Sequence, residues 1–204
     1  MSDINICGRF TTPPTNALTH VDQESIKNYV PHDGEWLDGK RADIVFAPAR
    51  NVSSTLPPVP VEIQNVVDKP FLRSLNVYCN HICEKYKTEP IAITICIRSV
   101  RGEISEKFIN SFVAPYCKTL PCGLRAKKHL IMTPRIMKDY LEKYGYESSN
   151  SNDADDPLPP LAALAYVLME QKCSMIGLRR ASGDISLSYV ECIAFGPFQA
   201  HHKL

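Results

Sequence analysis

Apolar residues recur along this chain with two different periods. Phe71, Leu75, Tyr78 and Ile82 fall at helical spacing and predict an amphipathic helix over 69–86 with one apolar stripe. Pro70 suits its first turn, where a missing N–H removes no helical bond. The stretch IAITICI, Ile91 to Ile97, is apolar and β-branched, as a central strand covered on both faces should be. Upstream, RADIVFA (41–47) and VPVEIQN (59–65) predict two strands. Pro57, Pro58 and Pro60 punctuate the loop between them, which is short enough for a hairpin. A short helix is expected over 22–30, capped by Thr19 or Asp22. The first half therefore runs helix, strand, strand, helix, strand.

The second half is less regular. Residues 108–113 suit an edge strand or a loop, 129–132 a short strand, and 134–144 a helix with Pro134 in its first turn. ESSNSNDADDP, at 147–157, is polar and acidic and predicts a flexible loop. Residues 158–172, rich in Leu and Ala, predict a second strong helix that could serve the core or a homodimer interface equally. Around Ser182, Gly183 and Asp184 a terminal hairpin is expected. These elements imply an α/β (α+β) fold: one domain over 1–204, with a core at about 19–100 and a helical and hairpin extension at about 101–204.

Composition narrows the function. A chain of 204 residues with 44% hydrophobic and 22% charged residues has globular proportions and can bury a core without disulfide staples. Basic and acidic residues number 23 and 22, which excludes a strongly basic nucleic-acid coat protein but not a local basic groove. No apolar run approaches a membrane span, and MSDINICGRFTTPPTN lacks the pattern of a signal peptide. The expected location is intracellular, nucleus or cytoplasm. The eight cysteines, Cys7, Cys79, Cys83, Cys96, Cys117, Cys122, Cys173 and Cys192, are then expected as free thiols. None forms a CxxC. Cys79, His81 and Cys83, and Cys117, Cys122 and His129, are two loose groups that suit small buried residues better than zinc.

One constellation carries chemistry. Glu62 and Gln64 lie two apart on a predicted strand, so their side chains share a face, while Val61 and Ile63 point the other way. Asp43 occupies the preceding strand among apolar neighbours. A carboxylate within an apolar strand is unfavourable unless it is paired or binds a cation. Two of them could converge on a hard divalent ion, or each could pair with an arginine such as Arg41 or Arg73. Arg73 itself could contact phosphate or fix the helix by an ion pair; Tyr78 falls on the apolar stripe and is expected in the core. Arg125, Lys127, Lys128 and His129, Arg98 with Arg101, and Arg179 with Arg180 are short basic groups that suit a solvated surface or a nucleic-acid backbone.

The segments KRADIVFAP (40–48), VPVEIQNVVDKPFLRSLNVYCNHICEKY (59–86) and IAITICI (91–97) resemble the PD-(D/E)XK nuclease superfamily. The similarity is to the branch of recombination-promoting nucleases and transposase-associated proteins, in which Glu-x-Gln often replaces Glu-x-Lys. DPLPPLAALAYVL (156–168) resembles a helix these proteins often carry. The resemblance covers the first half well and the second thinly. It implies a central mixed sheet of about four strands flanked by helices, with a restriction-endonuclease-like core. It implies Asp43 and Glu62 as ligands of Mg²⁺ or Mn²⁺, Gln64 in the position of the usual lysine, and Glu24 as the one candidate for an assisting acid on the first helix. Gln64 cannot titrate and could only orient water or phosphate through its amide. The expected activity is hydrolysis of phosphodiester bonds, in DNA for preference. The alternatives are a non-cutting nuclease-like module that binds nucleic acid or protein, and a zinc-stabilised structural protein.

Overall fold

The computed structural model describes residues 29–32, 42–49, 52–53, 55–123, 125–144 and 158–170. The elements are β1 (Tyr29–His32), β2 (Ile44–Pro48), β3 (Val59–Val67), α1 (Lys69–Tyr86), β4 (Ile91–Val100), α2 (Gly102–Ser105), β5 (Ile109–Asn110), β6 (Lys118–Thr119), β7 (Lys128–Met132), α3 (Pro134–Lys143) and α4 (Pro160–Glu170). The helices at 69–86 and 134–143 stand where their patterns place them. Val30, expected at the end of a helix, lies instead in β1, where Tyr29 is buried and donates its hydroxyl to the Pro57 carbonyl at 2.8 Å. The remainder of that expected helix, the acidic 147–157 stretch and the terminal hairpin lie outside the described residues.

The strands form one mixed sheet in the order β1-β2-β3-β4-β7-β6-β5. Seven strands correct the expected four. β1, β2 and β3 are antiparallel, β3, β4 and β7 are parallel, and β7, β6 and β5 are again antiparallel. The excess has a plain cause: β7 pairs along β4 on the edge that β3 leaves free, so the sheet continues past β4. β5 stands at the sheet edge within 108–113, expected as an edge strand or a loop, and β6, with two residues, is too short for any periodicity to announce it.

Alternation divides the sheet into two apolar faces. Ile44, Phe46, Val61, Ile93, Ile95 and Met132 point to one face and pack against α3 and α4. Ala92, Cys96 and Ile131 point to the other and pack against Phe71, Leu75 and Cys79 of α1. Val45 continues that second face under Ile82. The layers are thus helix, sheet, helices. Ile93, Ile95 and Ile131 are fully buried, each contributing about 1.5–3 kcal/mol. In α4, Leu161, Ala162, Ala163, Ala165 and Val167 are buried in the chain's own core.

Local signals set the ends of α1. The Asp68 carboxylate accepts from the Phe71 N–H at 2.9 Å, and Pro70 stands in the first turn. At the other end Lys87 adopts the left-handed conformation and its N–H reaches the Cys83 carbonyl at 2.8 Å. These caps fix how α1 crosses from β3 to the parallel β4, over the face that carries Glu62.

Candidate active site

The register Ile44↔Val61 between β2 and β3, continued by one residue, sets Asp43 opposite Glu62 on the α1 side of the sheet. The strand pair is locked there. Asp43 Oδ2 accepts from the Ile63 N–H at 2.7 Å, a short bond to an ionised acceptor. Asp43 is exposed, whereas Glu62 is only 3% exposed. Gln64 follows on the same face, half-buried, just before a register shift between Gln64 and Val66.

Glu62 is electrostatically unusual. Its burial, and then the negative charge of Asp43, push its carboxyl up to about 8. The Asp43 backbone N–H and the Gln64 side chain oppose the rise without cancelling it. Its Oε1 is buried and has no hydrogen-bond partner. A buried, unsatisfied carboxylate oxygen beside a second carboxylate is the configuration that a cation relieves.

The donor set suits a hard ion. Asp43, Glu62 and the Gln64 amide offer oxygen only. Among the described residues no group of three or more His, Cys, Asp or Glu is placed to hold a metal. Two carboxylates nevertheless meet the needs of Mg²⁺, which keeps several waters and commonly takes one or two carboxylates together with substrate phosphate.

Of the residues expected at the site, the fold brings Asp43, Glu62 and Gln64 together. Arg73 is exposed on α1, two residues and so about 200° from Phe71, away from the stripe that packs on the sheet. Glu24 lies outside the described residues, as do Arg179 and Arg180. Tyr78 is half-buried and packs between two parts of the core on the α1 side.

Two residues at this face escaped the sequence reading. Thr94, inside the apolar IAITICI, is fully buried and lies beside Glu62 in the β3–β4 register. His129, expected in a short basic group at the surface, is 2% exposed, and its Nε2 lies 2.9 Å from Thr94 Oγ1. Burial holds its imidazole down to about 4, so it is neutral near pH 7. Glu62, Thr94 and His129 thus form a polar row across β3, β4 and β7 in an otherwise apolar layer. A threonine among aliphatic strand residues was the available signal for Thr94. For His129 it was the alternation of KHLIM, which buries His129 whenever Ile131 is buried.

The described cysteines are free thiols, as expected. Cys117 lies in the core under α3 and α4, whereas Cys122 packs on the α1 side, so these two do not group with His129. Burial pushes the Cys79 thiol up to about 12, which makes it inert. No helix among the described residues is long and apolar enough to cross a membrane.

No protein-family model matches the chain, and no curated protein or solved structure matches it either.

Proposed function

We propose that the chain is a metal-dependent nuclease that hydrolyses phosphodiester bonds, in DNA for preference, at Asp43 and Glu62. The observation that carries this reading is the pair itself: an exposed carboxylate facing a buried one whose Oε1 lacks any partner. The antiparallel β2–β3 pair, followed by α1 and a parallel β4, sets the two carboxylates on adjacent strands of the face that α1 crosses, which supports this reading.

In this reading Asp43 and Glu62 hold Mg²⁺ or Mn²⁺. Such an ion supplies Lewis-acid stabilisation of phosphate and acidifies a water. The chain's own residues do the positioning. The Ile63 N–H fixes the Asp43 carboxylate, so that it is presented without reorganisation. Glu62 would hold the cation as a carboxylate, having given up its proton to solvent. The Gln64 amide, on the same face, orients a water or a phosphate oxygen and takes no proton.

The test is cleavage of plasmid and single-stranded DNA with Mg²⁺ or Mn²⁺ by wild type, Asp43→Asn and Glu62→Gln. Cleavage by wild type and loss of at least a hundredfold in both variants is expected. Cleavage that survives both substitutions, or none by folded wild type, overturns the reading.

A further inference from the structure

A cavity of about 490 Å³ lies on the same face of the sheet as the carboxylate pair, between α1 and residues 120–126. That volume falls within the ~300–1,000 Å³ of small-molecule sites. Its walls are apolar: Leu75, Ala92, Leu120 and Ala126 are all buried core residues. Its polar groups are few and separated. Asn76 on α1 offers an amide, the only side-chain group in the lining with paired donor and acceptor edges. His129 lies at the sheet, neutral and held by Thr94. Among the described lining residues Arg125, exposed, carries the one fixed charge.

This combination selects a ligand class. Apolar walls accept a flat, poorly hydrated body. An amide reads its edge, as asparagine reads adenine. A guanidinium at the solvent side meets an anionic group, with phosphate fitting its fork. Among the described lining residues none is acidic, so none repels an anion. In the sheet, His129 pairs with Ala92 while Glu62 pairs with Thr94, so these two residues stand two strand spacings and two residues apart, about 12 Å.

We infer that this cavity binds one nucleotide, with the base between α1 and residues 120–126 against Asn76 and the phosphate on Arg125. The inference rests on the nuclease reading for the identity of the ligand, and it places the nucleotide on the sheet face that carries Glu62.

Binding of deoxyadenosine monophosphate, deoxyadenosine and inorganic phosphate to the full chain, followed by calorimetry without metal, tests it. Wild type binds the monophosphate. Arg125→Ala weakens that binding about tenfold and leaves the nucleoside unchanged, while Asn76→Ala weakens both. Asp43→Asn changes neither. No binding by folded wild type, or binding indifferent to Arg125 and Asn76, overturns the inference; so does inorganic phosphate binding as tightly as the nucleotide, which reduces the site to an anion contact. Nucleotide binding in a chain that cuts no DNA leaves the cavity assigned and removes the nuclease reading. Cleavage without nucleotide binding does the reverse.

Discussion

Replacing Glu62 by glutamine should reshape how stability depends on pH, and the shape can be worked out. Folded Glu62 keeps its proton to about pH 8, while the unfolded chain loses it near the ordinary 4.5. Between those values the folded state holds the extra proton, so raising pH destabilises it. At ~1.36 kcal/mol per pH unit the full loss reaches about 5 kcal/mol, and above pH 8 it grows no further. His129 acts in the opposite direction. Its folded value of about 4 lies below the ordinary 6.5, so falling pH destabilises the fold across that range, by about 3 kcal/mol. From about 4.5 to 6.5 the two nearly cancel in wild type, and above about 6.5 the Glu62 loss stands alone. Glu62→Gln should therefore rise in stability to about pH 6.5 and then stay flat, where wild type declines. Urea unfolding across about pH 4 to 9, at constant ionic strength, measures both curves. Excess Mg²⁺ should lift the wild-type curve above pH 7, because the cation replaces the proton, and leave Glu62→Gln unmoved. Parallel curves for the two proteins would refute the reasoning, since a Glu62 that ionises normally has no proton to lose.

Three further outcomes follow from named contacts. Asp43→Asn removes the like charge facing Glu62, so the decline should end at lower pH and be smaller in total than in wild type in the same titration. Asp68→Ala deletes the α1 cap and should cost about 1 kcal/mol in urea unfolding. Phe112 is wholly exposed at 102%, so Phe112→Ser should shift unfolding by less than about 0.5 kcal/mol. A larger change would place Phe112 against something that covers it.

The elements that were legible share a cause. α1 and β4 are long enough for their periods to repeat, and Pro70 marks the first turn of α1. The β2–β3 hairpin was legible because Ile44, Phe46, Val59 and Val61 alternate with the residues of the opposite face. β5 falls within 108–113, expected as an edge strand or a loop, whereas β6 was illegible, two residues that pair with the edge β7 presents. The joining of β7 to β4 is a long-range event that no local pattern encodes. At the candidate site, Glu-x-Gln fixed a common face for Glu62 and Gln64, and Asp43 opposite them follows from hairpin register. What no sequence pattern supplies is depth: that Asp43 is exposed while Glu62 and His129 are sealed under α1 depends on how the helix crosses the sheet.

The position of β4 also sets a schedule for making the protein. β4 receives β3 on one edge from residues already synthesised, but its other edge waits for β7. Met132 emerges 32 residues after Val100, about 2–6 s later at ~5–20 residues per second. Through that interval IAITICI offers an unpaired aliphatic, uncharged backbone edge, the kind of segment that recruits other chains. The newborn chain is therefore most vulnerable to misassociation between completing β4 and completing β7. Slowed translation across residues 101–127, or depletion of holding chaperones, should reduce soluble yield more than a comparable delay after Met132.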